Sequence, residues 1–176
     1  MKTLDDLGPR ICIMGPSNSG KSTLAEAIAR KRSLAVVHLD QFYHLPNTDW
    51  QPRPQAEFVA LHDNAIVADS WVIDGNYSQC LPQRLDRATG LILLDIATAT
   101  SLLRYVRRSW FEAGRVGALE GGQDSVKWLM IQHIAVRTRD NRRRYRAMFD
   151  GIALPKILLP GTRAIDHFYR MEGLER

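Results

Sequence analysis

The sequence predicts an α/β fold: a three-layer arrangement with a five-stranded parallel sheet between helices. Two observations carry that expectation. Short runs rich in Val, Ile and Leu alternate with longer helical patterns along the 176 residues, which is the signature of parallel strands joined by crossover helices. The first run leads straight into "IMGPSNSGKSTL" (Ile13 to Leu24), a glycine- and hydroxyl-rich turn set between a strand pattern and a helix pattern.

The elements follow in order. Strands are expected at Arg10 to Gly15, Leu34 to Asp40, Trp71 to Gly75, Leu91 to Asp95 and Lys156 to Pro160. Their continuous apolar character suits strands covered on both faces. Helices are expected at Lys21 to Lys31, Gln55 to Ala68, Ser78 to Arg87, Thr98 to Glu112, Asp124 to Phe149 and Arg163 to Met171. Pro54 and Asp124 supply start signals for two of them. Two stretches stand outside the alternation: the Pro-rich, aromatic segment Gln41 to Pro54, and the Gly-rich segment Glu112 to Gln123. Long irregular segments in a compact chain more often form binding loops and lids than filler. The expected organisation is one domain over 1–176, with an acceptor-binding insertion at about 41–69 and a lid at about 107–124.

Composition narrows the class without deciding it. The net charge of +5 favours anionic ligands, yet nucleotides, nucleic acids and membrane surfaces all qualify. Cys12 and Cys80 have no neighbouring Cys or His at zinc-ligand spacing, so no disulfide framework or structural zinc is expected. No apolar stretch approaches the roughly 20 residues of a membrane span, and no leader pattern opens the chain. A cytoplasmic location and no membrane partner are the expectation.

The turn after the first strand carries the chemistry. Gly15, Pro16, Ser17, Asn18, Ser19, Gly20, Lys21 and Ser22 fit the spacing G-x-x-x-x-G-K-[ST], with Thr23 following in the same helix start. Glycines let successive backbone N–H groups converge on phosphate oxygens, and the helix adds its positive end. Lys21 then reaches the β and γ phosphates and Ser22 ligates Mg²⁺. The chain is therefore read as a P-loop NTPase fold binding ATP and Mg²⁺.

Hydrolytic motors need a glutamate after the acidic residue that ends an apolar strand, but Ile96 follows Asp95. A guanine-reading Asn-Lys pair is also missing from the sequence. Transfer to a small acceptor remains, and that requires an acceptor pocket, cationic groups and exclusion of water. Asp40, read as the end of the second strand, is placed at the sheet edge where open α/β sheets bind ligands. Its carboxylate suits an acceptor hydroxyl or a Mg²⁺-bound water. Asp74, beside Gly75 at the end of the third strand, is placed near Mg²⁺ with Ser22, while Asp95 is read as a strand terminator. Tyr43 and Trp50 suit a pocket wall. Arg104, Arg107 and Arg108 share a helical face by spacing. Arg137, Arg139, Arg142, Arg143, Arg144 and Arg146 form a second cluster, from which Arg139 and Arg143 are taken to neutralise charge on the transferring group. His38, His44, His62, His133 and His167 show no metal-ligand spacing and are read as structural.

The loop, "VHLDQFYHLP", "WVIDGNYS", "LLRYVRR" and the final "KILLPGT" together resemble the nucleoside monophosphate kinase group of P-loop proteins. More closely they resemble the bacterial DNA topology modulation proteins, also called adenylate-kinase-related ATPases. The resemblance implies a role near Mg²⁺ for Asp74 and Gly75, and contacts to adenine and phosphates for Arg104 and Arg108. Ser78 stands where that group has an acceptor-gripping arginine. Tyr77, Arg53 and Arg84 are accordingly assigned to the acceptor side, together with Asp40, Tyr43, Asp74 and Gly75. The resulting expectation is a kinase passing the γ-phosphate of ATP to a small-molecule acceptor. The alternative is a nucleotide-dependent regulatory ATPase acting on DNA or a protein. No nucleic-acid-binding motif is evident, so nucleic acid is not the favoured partner.

Overall fold

The computed structural model describes residues 2–48, 50–111 and 138–176, with the backbone alone at 105–111 and 138–140. Five strands form one sheet: β1 (Arg10–Met14), β2 (Ala35–His38), β3 (Trp71–Asp74), β4 (Gly90–Asp95) and β5 (Lys156–Pro160), in the order β2-β3-β1-β4-β5. Every pairing is parallel. All five expected strands are present, and β1 and β3 occupy the interior of the sheet, where the carboxyl ends of neighbouring strands open a crevice.

Seven helices accompany it among the described residues: α1 (Lys21–Arg32), α2 (Leu39–Tyr43), α3 (Gln55–Ile66), α4 (Leu81–Arg87), α5 (Thr98–Phe111), α6 (Thr138–Gly151) and α7 (Thr162–Met171). Side chains on successive strand residues point to opposite faces, and the core divides accordingly. Ile11, Ile13, Val72, Ile92 and Leu94 meet Leu24 and Ile28 of α1 and Ile165 and Phe168 of α7. Cys12, Met14, Ile73, Leu91 and Leu93 meet Phe58 and Ile66 of α3, Leu81 of α4 and Phe149 of α6. Each such fully buried side chain contributes about 1.5–3 kcal/mol, so the sheet is held from both sides.

Several boundaries differ from the expected ones, each for a physical reason. The second strand ends at His38, and Asp40 lies inside α2 rather than at a strand end. The β2–β3 register runs out at His38↔Asp74; beyond it Gly75 turns away at φ +128°, leaving Leu39 no strand to pair with. A Cβ on Gly75 would lie 2.9 Å from Leu39 Cβ, so the turn and the start of α2 are packed against each other. The helix expected from Ser78 opens as a 3-10 turn, Ser78–Cys80, before α4, because Pro82 has no N–H and suits only a first helical turn. Within Gln41 to Pro54, α2 takes the first part. The rest folds back on itself, with the Arg53 N–H donating to Tyr43 O at 2.7 Å and the Leu45 N–H to Gln51 O at 2.9 Å. Of the helix expected at Asp124 to Phe149, the described part is α6. The lid expected at about 107–124 lies outside the described side chains, as do Arg107, Arg108, Arg137 and Arg139.

Candidate functional site

The phosphate loop leaves β1 at Gly15, whose φ of +150° and tight surroundings both call for glycine: a Cβ there would sit 2.6 Å from Leu94 O. Asn18 then takes the left-handed conformation at φ 59° and Gly20 follows at φ +93°. This delivers the chain into α1, whose first turn has no side-chain cap and no acidic residue. The N–H groups at a helix start have no partner within the helix itself, and the positive end of α1 lies directly after the loop. Lys21 folds back so that Nζ donates to Pro16 O at 2.9 Å. From α5, Arg104 Nη1 donates to Ser19 O at 3.0 Å. The backbone donors, Lys21 and the open helix start make a fitting cradle for a polyphosphate.

Beside this loop, Asp74 is 5% exposed at the end of β3. Ser22 Oγ donates to its Oδ2 at 2.8 Å, and His38 Nδ1 lies 2.6 Å from its Oδ1. His38 Nε2 in turn lies 3.2 Å from Glu26 Oε1 on α1. Burial pulls the His38 pKa down most strongly, but the hydrogen bonds and charges of Asp74 and Glu26 outweigh it and raise it above the ordinary value. The imidazole thereby holds the Asp74 carboxylate with one oxygen toward Ser22. A hydroxyl and a carboxylate oxygen form a hard donor set that fits Mg²⁺, which keeps several waters and phosphate oxygens rather than filling a closed protein cage. Among the described residues no group of three or more His, Cys, Asp or Glu side chains is placed to hold a metal ion by itself.

A second carboxylate stands on α2. Asp40, exposed on α2, accepts a 2.6 Å hydrogen bond from the Tyr77 hydroxyl. Burial first, then the Asp40 charge, push the Tyr77 pKa far up, so the phenol stays a donor. Around the pair stand Tyr43, 4.9 Å from Tyr77 by ring centroid, and Phe58, 5.1 Å from it. His44 stacks edge-on to Tyr43 at 4.8 Å and to Trp50 at 5.0 Å. Arg53, in this same loop, directs Nε to Phe42 O at 2.9 Å and Nη1 to Glu57 at 3.5 Å.

The structure thus brings Lys21, Ser22, Asp74 and Arg104 to the phosphate loop, and Asp40, Tyr43 and Tyr77 to an aromatic cluster with Arg53 in the loop beside it. Arg84 departs from its expected acceptor-side place. It is fully buried under the sheet, with Nη2 donating to Gly75 O at 3.0 Å and Asn76 O at 3.3 Å. Asp95 is more than a strand terminator. Arg142 of α6 pairs with it, with Nη2 3.3 Å from Oδ2, and Arg146 joins at 3.5 Å. Arg143 is exposed on the same helix. His38 and Asn76 were not expected in the site at all. Asn76 caps Gly15 with its amide, and the only sequence signal is its place in "DGNY" directly after the third strand.

The described fold matches the solved structures of two kinases. Shikimate kinase from Acinetobacter baumannii, solved in complex with shikimate, aligns with a TM-score of 0.60 at 14% identity, over 93% of this chain and 90% of that one. A gluconokinase from Sinorhizobium meliloti 1021 aligns with a TM-score of 0.55 at 14% identity, over 95% of both chains. No protein-family model and no curated protein matches the chain. At such identity the likeness establishes the shared α/β architecture.

Proposed function

We propose that this chain is an ATP-dependent phosphotransferase that moves the γ-phosphoryl group to a hydroxyl of a small acceptor, giving ADP and the phosphorylated acceptor. The observation that carries the reading is the Asp40–Tyr77 pair. A carboxylate fixed by a phenol in a cluster of aromatic rings stands on α2, just beyond the strand end where His38 contacts Asp74. The glutamate that hydrolytic motors carry after a strand-ending acid has no counterpart here: Asp95 is engaged by Arg142 and the next residue, Ile96, is apolar and fully buried.

In this reading the loop Gly15 to Thr23, through the backbone amides that follow Pro16, and Lys21 Nζ bind the polyphosphate, and Lys21 leaves Pro16 O to do so. Bound Mg²⁺ neutralises charge on the phosphate oxygens. Ser22 and Asp74 hold it, with His38 fixing the carboxylate. Asp40 accepts the acceptor's hydroxyl proton, Tyr77 keeps that carboxylate aimed, and Tyr43 and Arg53 shape the pocket. Arg104, with Arg108, Arg139 and Arg143 from the two arginine-rich segments, stabilises charge during transfer. Within this reading the chain is one domain over 1–176, with an insertion at about 41–69 and a lid at about 107–124. It stands in the nucleoside monophosphate kinase-like group, nearest the bacterial topology modulation proteins, and works in the cytoplasm.

The test is ADP formation from ATP with a panel of nucleosides, nucleoside monophosphates and hydroxylated metabolites. The proposal expects one acceptor class to accelerate ADP formation and Lys21→Ala to abolish it. Acceptor-independent ADP release, together with DNA binding that weakens steeply with salt, would overturn it in favour of a regulatory ATPase.

A further inference from the structure

We propose that Asn76 is a positioning residue for the phosphate loop, its side-chain amide acting as a short surrogate strand that holds Gly15 where β1 leaves the sheet. The inference rests on the nucleotide-binding part of the function proposed above. The β1–β3 ladder is regular through Ile13↔Asp74, and its last bond runs from the Gly75 N–H to Ile13 O at 3.2 Å. Past that point both chains turn, Gly15 at φ +150° and Gly75 at φ +128°. Gly15 is buried, so its N–H and C=O each need a partner, and on the β3 side the strand has ended. Asn76 supplies both: its Oδ1 accepts from the Gly15 N–H at 3.2 Å, and its Nδ2 donates to Gly15 O at 2.9 Å.

An amide side chain carries its donor and its acceptor on two separate atoms of one planar group, as a backbone strand presents them. An aspartate retains the acceptor and turns a negative oxygen on the Gly15 carbonyl; an alanine leaves both groups orphaned. The clasp is itself anchored. Arg84 grips the backbone carbonyls of Gly75 and Asn76 from the core. On the other side, Tyr145 of α6 lies close enough for the Asn76 side chain to oppose the burial that raises its phenol pKa. Gly15 begins the cradle, so its position sets where the following N–H groups point. Loss of the clasp therefore weakens nucleotide binding ahead of the chemistry.

The experiment is calorimetric binding of MgADP to the wild type, Asn76→Asp and Asn76→Ala, at a temperature where circular dichroism shows all three folded. Ile157→Val, a core change in β5, serves as a destabilised control. The expected result is a Kd weakened on the order of tenfold or more in both Asn76 variants, with the control within about twofold of wild type. In kinetics the nucleotide KM rises with it while the acceptor KM stays put. MgADP binding by both Asn76 variants within about twofold of wild type, or an equal loss in Ile157→Val, overturns the proposal. A wild type that binds MgADP while no acceptor accelerates ADP formation removes the kinase reading and leaves the clasp intact. A wild type that takes up no MgADP overturns both.

Discussion

The Tyr77 hydroxyl reaches across 37 residues of sequence to donate a 2.6 Å hydrogen bond to Asp40 Oδ1. Its raised pKa, set by burial and then by the carboxylate's charge, keeps it a donor at all physiological pH. Tyr77→Phe keeps the ring packing on Tyr43 and Phe58 and removes only the aim of the carboxylate. The expected outcome is an unchanged Kd for MgADP and a roughly tenfold fall in kcat/KM for the acceptor, one hydrogen bond's worth. Asp40→Asn loses the proton acceptor itself and falls by about 10²–10⁴ in kcat. Steady-state kinetics with acceptor varied reads both.

Gly15→Ala meets a barrier that no side-chain rotation relieves. Its Cβ would lie 2.6 Å from the carbonyl oxygen of Leu94, on backbone at φ +150°. Backbone strain of this kind costs about 1–3 kcal/mol, and the clash adds to it. Thermal unfolding should show a lowered Tm, and calorimetry should show no MgADP uptake.

Arg84 is a buried cation whose Nε and Nη1 have no hydrogen-bond partner among the described residues. Burial, the strongest influence, depresses its pKa, with the Cys12 thiol pulling the other way. Two effects therefore compete in its replacement: lost bonds to the Gly75 and Asn76 carbonyls, and relief from holding a charge out of water. Arg84→Met keeps the volume and sheds the charge, so its loss should stay within about 1.5 kcal/mol. Arg84→Ala adds a cavity and should cost about 2–5 kcal/mol. Denaturant unfolding separates them, and the acceptor KM of folded Arg84→Met should match the wild type.

His38 and His62 give stability opposite slopes with pH. His38 has a folded pKa raised above 6.5, so the folded state binds more protons in the window above that value. Its contribution is full below 6.5 and is lost as pH rises through the folded pKa. His62, fully buried, has its pKa lowered from 6.5, chiefly by burial. It stabilises at and above 6.5, and that contribution disappears as pH falls through the lowered pKa. Stability should peak near 6.5 where these two groups dominate. His38→Gln should flatten the alkaline limb and His62→Gln the acid limb, read from denaturant midpoints over a pH series.

The five strands and the phosphate loop were legible because both are written locally: continuous apolar runs in the one case, fixed glycine and lysine spacing in the other. What escaped was set at a distance. "LAVVHLD" reads as unbroken strand, and only the end of its partner at Asp74 shows why α2 begins at Leu39. Arginine is among the residues seldom found fully buried, so nothing in "LPQRLDR" places Arg84 beneath the sheet. Asn76 reads as an ordinary turn residue, and its pairing with Gly15 spans 61 positions. Asp95 reads as a strand end until Arg142, 47 residues later, closes on it.

The sheet order has a consequence for how such a protein can change. Gly15, Asp74 and Asp95 hang from adjacent strands, at a spacing of about 4.8 Å per strand that the ladder fixes like the teeth of a comb. Asp40 hangs from none of them, because it rides on a five-residue helix beyond the last rung. Drift or engineering can therefore redraw residues 39–54 to admit a new acceptor while the donor half keeps its gauge.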